Sequence, residues 1–283
     1  MFTIIGIVVV FLGIIGGYLM EHGNLHVLWQ PAELVIIGGA AIGSFLIASP
    51  PKVIGLVLKS IGPIFGGGGP GKAEYLELLS LLNLIFSKIR KEGLISIESD
   101  IDNPKKSPLF SKYKSVVSNH HALDFICDNL KVMITTNMPP YELDNLMEID
   151  IESNHHEEMM APAIINKVSD SLPGLGIVAA VLGVVITMGK IDSPPAVLGH
   201  SIGAALVGTF IGILLCYGFI GPMASKIEAI ADEAGIYPKV IKTALVAFVG
   251  GAAPQIAVES GRRAIPGSVR PTFGELETVL RKK

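Results

Sequence analysis

Four stretches of the chain are almost wholly apolar, and the charged side chains collect between them. Phe2–Met20 contains no charge. A second charge-free run, LVIIGGAAIGSFLIASPP, lies between Glu33 and Lys52, and a third, SLPGLGIVAAVLGVVITMG, between Asp170 and Lys190. The fourth lies between Asp192 and Lys226, is longer than one crossing needs, and has its apolar heart at Ser201–Met223. A hydrocarbon layer about 30 Å thick is crossed by about 20 helical residues, so each run predicts a membrane-spanning helix. A cleaved signal peptide would want a basic start, and Met1-Phe2-Thr3 supplies none.

Between the second and third spans the pattern changes to a helical mixture of apolar and charged residues. Tyr75, Leu78, Leu82, Ile85 and Ile89 form one stripe, with Glu77, Lys88 and Lys91 assigned to the opposite side. Asn129–Thr135 and Glu142–Ile151 predict further helices, separated by Pro139-Pro140. The tail predicts one helix before Pro254 and another over Gln255–Arg263, stopped by Pro266 and Pro271. No strand pattern is present, so the fold class is all-α: a four-span integral membrane protein with a helical cytoplasmic domain. The expected division is spans 1 and 2 in residues 1–58, a cytoplasmic helical domain in 59–168, spans 3 and 4 in 169–225, and a tail in 226–283 that packs with that domain.

Composition agrees with the pattern. The 283 residues are 50% hydrophobic and 17% charged, and the mean hydropathy is +0.56, which sets the chain apart from an average soluble domain. A net charge of -3 offers no clustered basic excess for nucleic acid. Of 22 basic residues, twelve fall in Lys52–Lys167 and nine from Lys226 onward, with Lys190 the remaining one. The positive-inside rule therefore puts both termini and the long middle segment in the cytoplasm. Trp29, in the short outer loop, suits an interfacial anchor.

Small residues recur four apart in the spans: Gly13 and Gly17, Gly39 and Gly43, Gly208 and Gly212. Such pairs allow close helix approach in lipid, either within the chain or against other chains. Two motifs carry no chemistry. The run Gly66–Lys72 imitates the start of a phosphate loop, but Pro70 has no amide hydrogen and Ala73 stands where a metal-binding hydroxyl is needed, so it reads as a flexible linker. His155-His156-Glu157-Glu158 lacks metal-ligand spacing on a helix and reads as a solvated face. Cys127 and Cys216 form no CxxC motif, and no nucleophile–base arrangement is present. An enzyme, a metal site and a cofactor are therefore not expected. Glu33 marks the edge of the second run, and no Asp, Glu, Lys or Arg falls inside the four apolar cores. An ion carrier usually needs one there. Ion flow would then need a carboxylate from another chain.

The runs SLPGLGIVAAVLGVV (171–185) and ALVGTFIGILLCYGFIGP (205–222), the tail APQIAVESGRR…RPTFGELE, and RKEGLISIESDIDNP (90–104) closely resemble the MotA family of flagellar-motor stator subunits. The resemblance extends over essentially the whole chain. It implies a multi-pass protein of the bacterial inner membrane, arranged as a pentameric ring around the membrane helices of MotB. MotB would supply the membrane aspartate and a peptidoglycan anchor, and the ring would exert torque on the rotor protein FliG. Residue by residue, it implies that Arg90 and Glu98 face the rotor and that Pro173 and Pro222 couple ion binding to the cytoplasmic domain. Read locally, Pro173 follows Asp170 and Ser171 as the start of a helix, and Pro222 produces a local kink. In sodium-driven relatives two threonines face the partner's aspartate. The matching positions here are Thr209 and Ala180, so one hydroxyl is absent and protons are the expected ion. Thr209 could instead bond the backbone one turn back. The runner-up is an ExbB/TolQ-like energiser of an outer-membrane process, which typically has three spans and a different loop order.

Overall fold

A computed structural model describes residues 2–66, 69–136 and 138–281. In chain order the helices are α1 (Phe2–Met20), α2 (Leu25–Leu28), α3 (Pro31–Ala48), α4 (Pro51–Phe65), α5 (Lys72–Glu92), α6 (Glu98–Asp102), α7 (Lys114–Ser118), α8 (His120–Thr135) and α9 (Pro140–Met188). They continue with α10 (Pro195–Leu214), α11 (Gly221–Val249), α12 (Pro254–Ala264) and α13 (Phe273–Arg281). A 3-10 turn at Leu94–Ile97 precedes α6, and a π-helical segment, Leu215–Ile220, joins α10 to α11. No strand occurs among the described residues, as expected for an all-α chain. Four stretches are long and apolar enough to cross a membrane: Phe2–Met20, Leu25–Ala48, Pro140–Met188 and Pro195–Val249.

Two compact units result, Met1–Gly67 with Glu157–Ile230, and Gly68–His156 with Ala231–Lys283. In the first, α1 buries none of its residues against the rest of the chain. A side chain that is apolar on every face and unburied suits lipid or a neighbouring protein. By contrast, α3 buries Ile37 and Ala41 in a cluster with Leu172, Ala179 and Cys216. The amphipathic α4 was not foreseen. Its Val53 and Val57, four residues apart, pack on Ala161 of α9. Lys52 and Glu157 form an exposed ion pair at 2.9 Å beside that contact.

In the second unit α5 lies at the centre of the core. Its predicted stripe is buried throughout, and Leu79, Leu81 and Phe86 are buried too, so the buried face is wider than one stripe. Phe86 stacks on Phe248 of α11 with centroids 4.4 Å apart. The polar face is not simply solvated. Lys88 is half-buried and pairs with Asp100 at 2.7 Å, while Glu77 accepts from the amide and hydroxyl of Ser115. The tail joins this core through Ala257, Val258, Ile265 and Leu276. The helix over Gln255–Arg263 ends at Ala264, before Pro266, and a further helix, α13, follows Pro271. Thr272 and Glu275 form its cap, with the Thr272 amide donating to Glu275 Oε2 at 2.6 Å.

Two sequence decoys have plain structural roles. The amides of Gly69 and Gly71 donate to Glu233 and Glu74, both at 2.8 Å, an acidic setting opposed to phosphate. Gly67 and Gly68 of that run lie outside the described residues. His155 faces Asp232 at 3.7 Å, and no group of three or more His, Cys, Asp or Glu side chains among the described residues is arranged for a metal. Burial pushes the Cys127 thiol up to about 12, so it stays a protonated core side chain.

Candidate functional site

The third and fourth spans meet along glycines. A methyl group placed at Gly212 would lie 2.5 Å from the Leu172 carbonyl oxygen and 2.9 Å from Gly176 Cα. One placed at Gly176 would lie 2.7 Å from the Gly208 carbonyl oxygen and 3.3 Å from Thr209 Cα. Gly208 and Gly212 thus serve packing inside the chain, bringing two backbones to a distance that no side chain allows. Gly13, Gly17, Gly39 and Gly43 meet nothing within 4 Å, so those two faces are open.

This seam brings Ala180 and Thr209 to the same helix contact. Ala180 is buried, and its backbone nitrogen would be 3.1 Å from a methyl at Gly208, the residue before Thr209. Thr209 is half-buried, and among the described residues its hydroxyl has no hydrogen-bond partner. Thr187 behaves differently, donating to the Gly183 carbonyl at 2.8 Å, the local role that Thr209 does not take.

Pro173 is not at a helix start. It lies well inside α9, which also contains Pro162. The Asp-Ser-x-Pro signal is overridden because the helix is held by packing on both sides of the proline. Pro173 cannot donate to the Ser169 carbonyl four residues back. Ser171 supplies a nearby hydroxyl, donating to the Val168 carbonyl at 2.7 Å. Pro222 lies two residues beyond the π-helical segment, where the helix turn is already wider. The Gly221 amide donates to the Cys216 carbonyl five residues back. Ser169, 1% exposed, donates to that same carbonyl at 3.2 Å.

Glu33, the edge of the second apolar run in the sequence, is drawn in among the spans. It occupies the first turn of α3, yet it is only 8% exposed. Its Oε2 is buried without a hydrogen-bond partner. A methyl at Gly208 would come within 2.5 Å of that oxygen, and one at Gly183 within 3.5 Å of Oε1. Sequence reasoning used Glu33 as a boundary marker. The available signal was Gln30-Pro31, which starts a helix two residues earlier and draws Glu33 into the span.

Arg90 and Glu98 belong to the second unit and are both exposed. Arg90 closes α5, where a cation complements the helix dipole, and its guanidinium donates to the Ala252 carbonyl at 3.3 Å. Glu98 opens α6, and no residue among those described forms an ion pair with it. The segment carrying it is fixed by its neighbour Asp100, which is buried, pairs with Lys88 and accepts from the Ser107 hydroxyl at 2.5 Å. That network was not foreseen. In the tail Glu259 accepts from Arg262 at 2.7 Å and from Arg263 at 3.0 Å. Its hydrogen bond with Arg262, despite partial burial, holds the carboxyl below the usual carboxylate range.

Four apolar spans, a glycine seam and an all-helical second unit define a multi-pass membrane protein. Residues 4–93 match the Motility protein A N-terminal family, and residues 118–235 match the MotA/TolQ/ExbB proton channel family. Motility protein A of Escherichia coli (strain K12) is 43% identical over 281 residues, covering 99% of this chain and 95% of that protein. The chain belongs to the motility protein A (MotA) family. Its fold is similar to the C. jejuni MotAB structure, with a TM-score of 0.78 at 20% identity over 96% of this chain and 98% of that one. It is likewise similar to the flagellar MotAB stator complex from Bacillus subtilis, with a TM-score of 0.72 at 23% identity over 91% and 92% of the two chains.

Proposed function

We propose that this chain, a flagellar stator subunit by family, forms with a MotB partner a proton-conducting complex that turns ion flow into torque on the rotor protein FliG. The observation that carries the reading is the α9–α10 seam, which brings Ala180 and Thr209 together and leaves the Thr209 hydroxyl unpartnered. One hydroxyl and one methyl make a poor cage for sodium, which exchanges its water shell for several oxygen ligands. A proton needs only a titrating carboxylate, supplied here by the partner's membrane aspartate. The open glycine faces of α1 and α3 support packing against further copies in a pentameric ring set in lipid. The prolines 173 and 222 flank the Ser169–Cys216 hydrogen bond, and they couple the occupied site to the second unit. That unit and the tail face the cytoplasm, with Arg90 and Glu98 toward the rotor.

The test is co-expression with and without the MotB partner in cells lacking their own stators. Swimming and proton uptake are expected only with the partner, and speed is expected to follow proton-motive force without responding to external sodium. Speed that rises with sodium at fixed pH and voltage would refute the proton assignment. A chain that restores neither swimming nor uptake with its partner would refute the stator reading.

A further inference from the structure

Glu33 is an unpaired acid in a place where an ionised acid is costly. No lysine, arginine or histidine among the described residues forms an ion pair with it. The charged or titratable side chains on the elements packed beside it, His26 on α2 and His200 on α10, are exposed, as are Lys190 and Asp192 in the turn after α9. The usual structural role of a first-turn glutamate is also unfilled. In a capping box it would reach back to the amide of Gln30, but that amide donates to the Leu28 carbonyl at 3.1 Å. The side chain instead turns inward to a recess built by absent side chains. Gly183 and Gly208 flank the two carboxyl oxygens, with Ala179, Ala180 and Ala205 beside them.

An ionised carboxylate is unfavourable in such a seat, and a carboxyl seated there is neutral only while it holds a proton. Losing that proton breaks the Oε–H bond and leaves a charge that the recess does not stabilise. Deprotonation therefore requires water or another acceptor to reach the carboxyl. Gly208 adjoins Thr209, so this acid stands next to the residues assigned to the ion pathway. We propose that Glu33 is a proton-relay group contributed by this chain: it binds a proton at a carboxyl oxygen while seated against Gly208, and releases it to water in the pathway. The inference rests on the proton-conducting reading above and adds to the partner's aspartate a second titrating group.

The experiment uses the full chain reconstituted with its MotB partner in lipid vesicles, with an enclosed pH-sensitive dye and an imposed potential. Glu33→Gln keeps size and polarity but cannot titrate. It is expected to lower proton flux about tenfold or more at equal incorporation. In the infrared difference spectrum of wild type minus Glu33→Gln, a protonated-carboxyl band is expected, separate from that of the partner's aspartate, which both samples retain. If the glutamine variant does not assemble, Glu33→Asp decides: it is expected to keep a shifted band and conduct more slowly. Wild-type flux in the assembled variant, or a difference spectrum with no carboxyl band, would overturn the relay while leaving the stator reading intact. Failure of the wild-type complex to conduct protons would overturn that reading, and the relay with it.

Discussion

The Ser169 hydroxyl donates to the Cys216 carbonyl at 3.2 Å, a buried bond between the third and fourth spans. It lies four residues before Pro173 and six before Pro222. Both prolines weaken their own helix ladders, and this bond ties the two weakened turns together. Cys216 also accepts from the Gly221 amide, so its carbonyl stays occupied if Ser169 is lost. The relationship makes Ser169 a point of contact between the two spans that the sequence did not single out.

Ser169→Ala is expected to cost about 1 kcal/mol, because one interhelical hydrogen bond is lost without orphaning its acceptor. The detergent-solubilised protein should melt at a lower temperature, and swimming should slow while membrane levels hold. An unchanged melt would show that the bond contributes nothing to the pairing of the spans.

The glycine faces separate two kinds of packing. Gly212→Ala sets a methyl 2.5 Å from the Leu172 carbonyl oxygen, a backbone atom that cannot swing away. Forcing α9 and α10 apart is expected to destabilise the chain by about 1–3 kcal/mol. A Cβ at Gly39 meets nothing within 4 Å inside the chain, and Gly39→Leu is expected to leave the fold unchanged. Native mass spectrometry should then show fewer full rings for Gly39→Leu. Unaltered assembly would assign the α3 face to lipid.

Glu259 predicts a pH dependence. Its folded carboxyl is held below the ordinary range, chiefly by Arg262. The unfolded chain therefore binds a proton at higher pH than the folded one does, and stability rises with pH through that interval. The contribution is fully present at neutral pH and is lost as pH falls through the folded value. Arg262→Met should flatten the acid limb of a pH–melting profile, while a parallel profile would locate acid sensitivity elsewhere.

Charge reversal tests the proposed rotor contact. Arg90→Glu and Glu98→Lys are both at exposed positions, where a charge steers an encounter more than it holds a fold. Each is expected to impair swimming, with membrane assembly and proton uptake retained. Recovery by an opposite charge change in FliG would tie the defect to the contact. Normal swimming in both reversals would assign the contact to other residues.

The sequence alone determined the four spans, the all-helical class and the buried stripe of α5. These are consequences of local periodicity: a charge-free run of sufficient length has one favourable environment, and Tyr75, Leu78, Leu82, Ile85 and Ile89 share a helix face wherever that helix packs. The resemblance added Ala180, Thr209, Arg90, Glu98 and the two prolines as candidates. Only the tertiary structure decided which neighbours they meet. Pro173 reads locally as a helix start, yet long-range packing carries α9 through it. The π-helical turn before Pro222 depends on how Cys216 is bonded from two directions. Glu33 reads as a boundary because its charge is visible in the sequence, whereas its burial depends on glycines about 150 and 175 residues away in the chain. Those glycines are ordinary members of an apolar run until α3, α9 and α10 pack, and the space they leave then holds an acid.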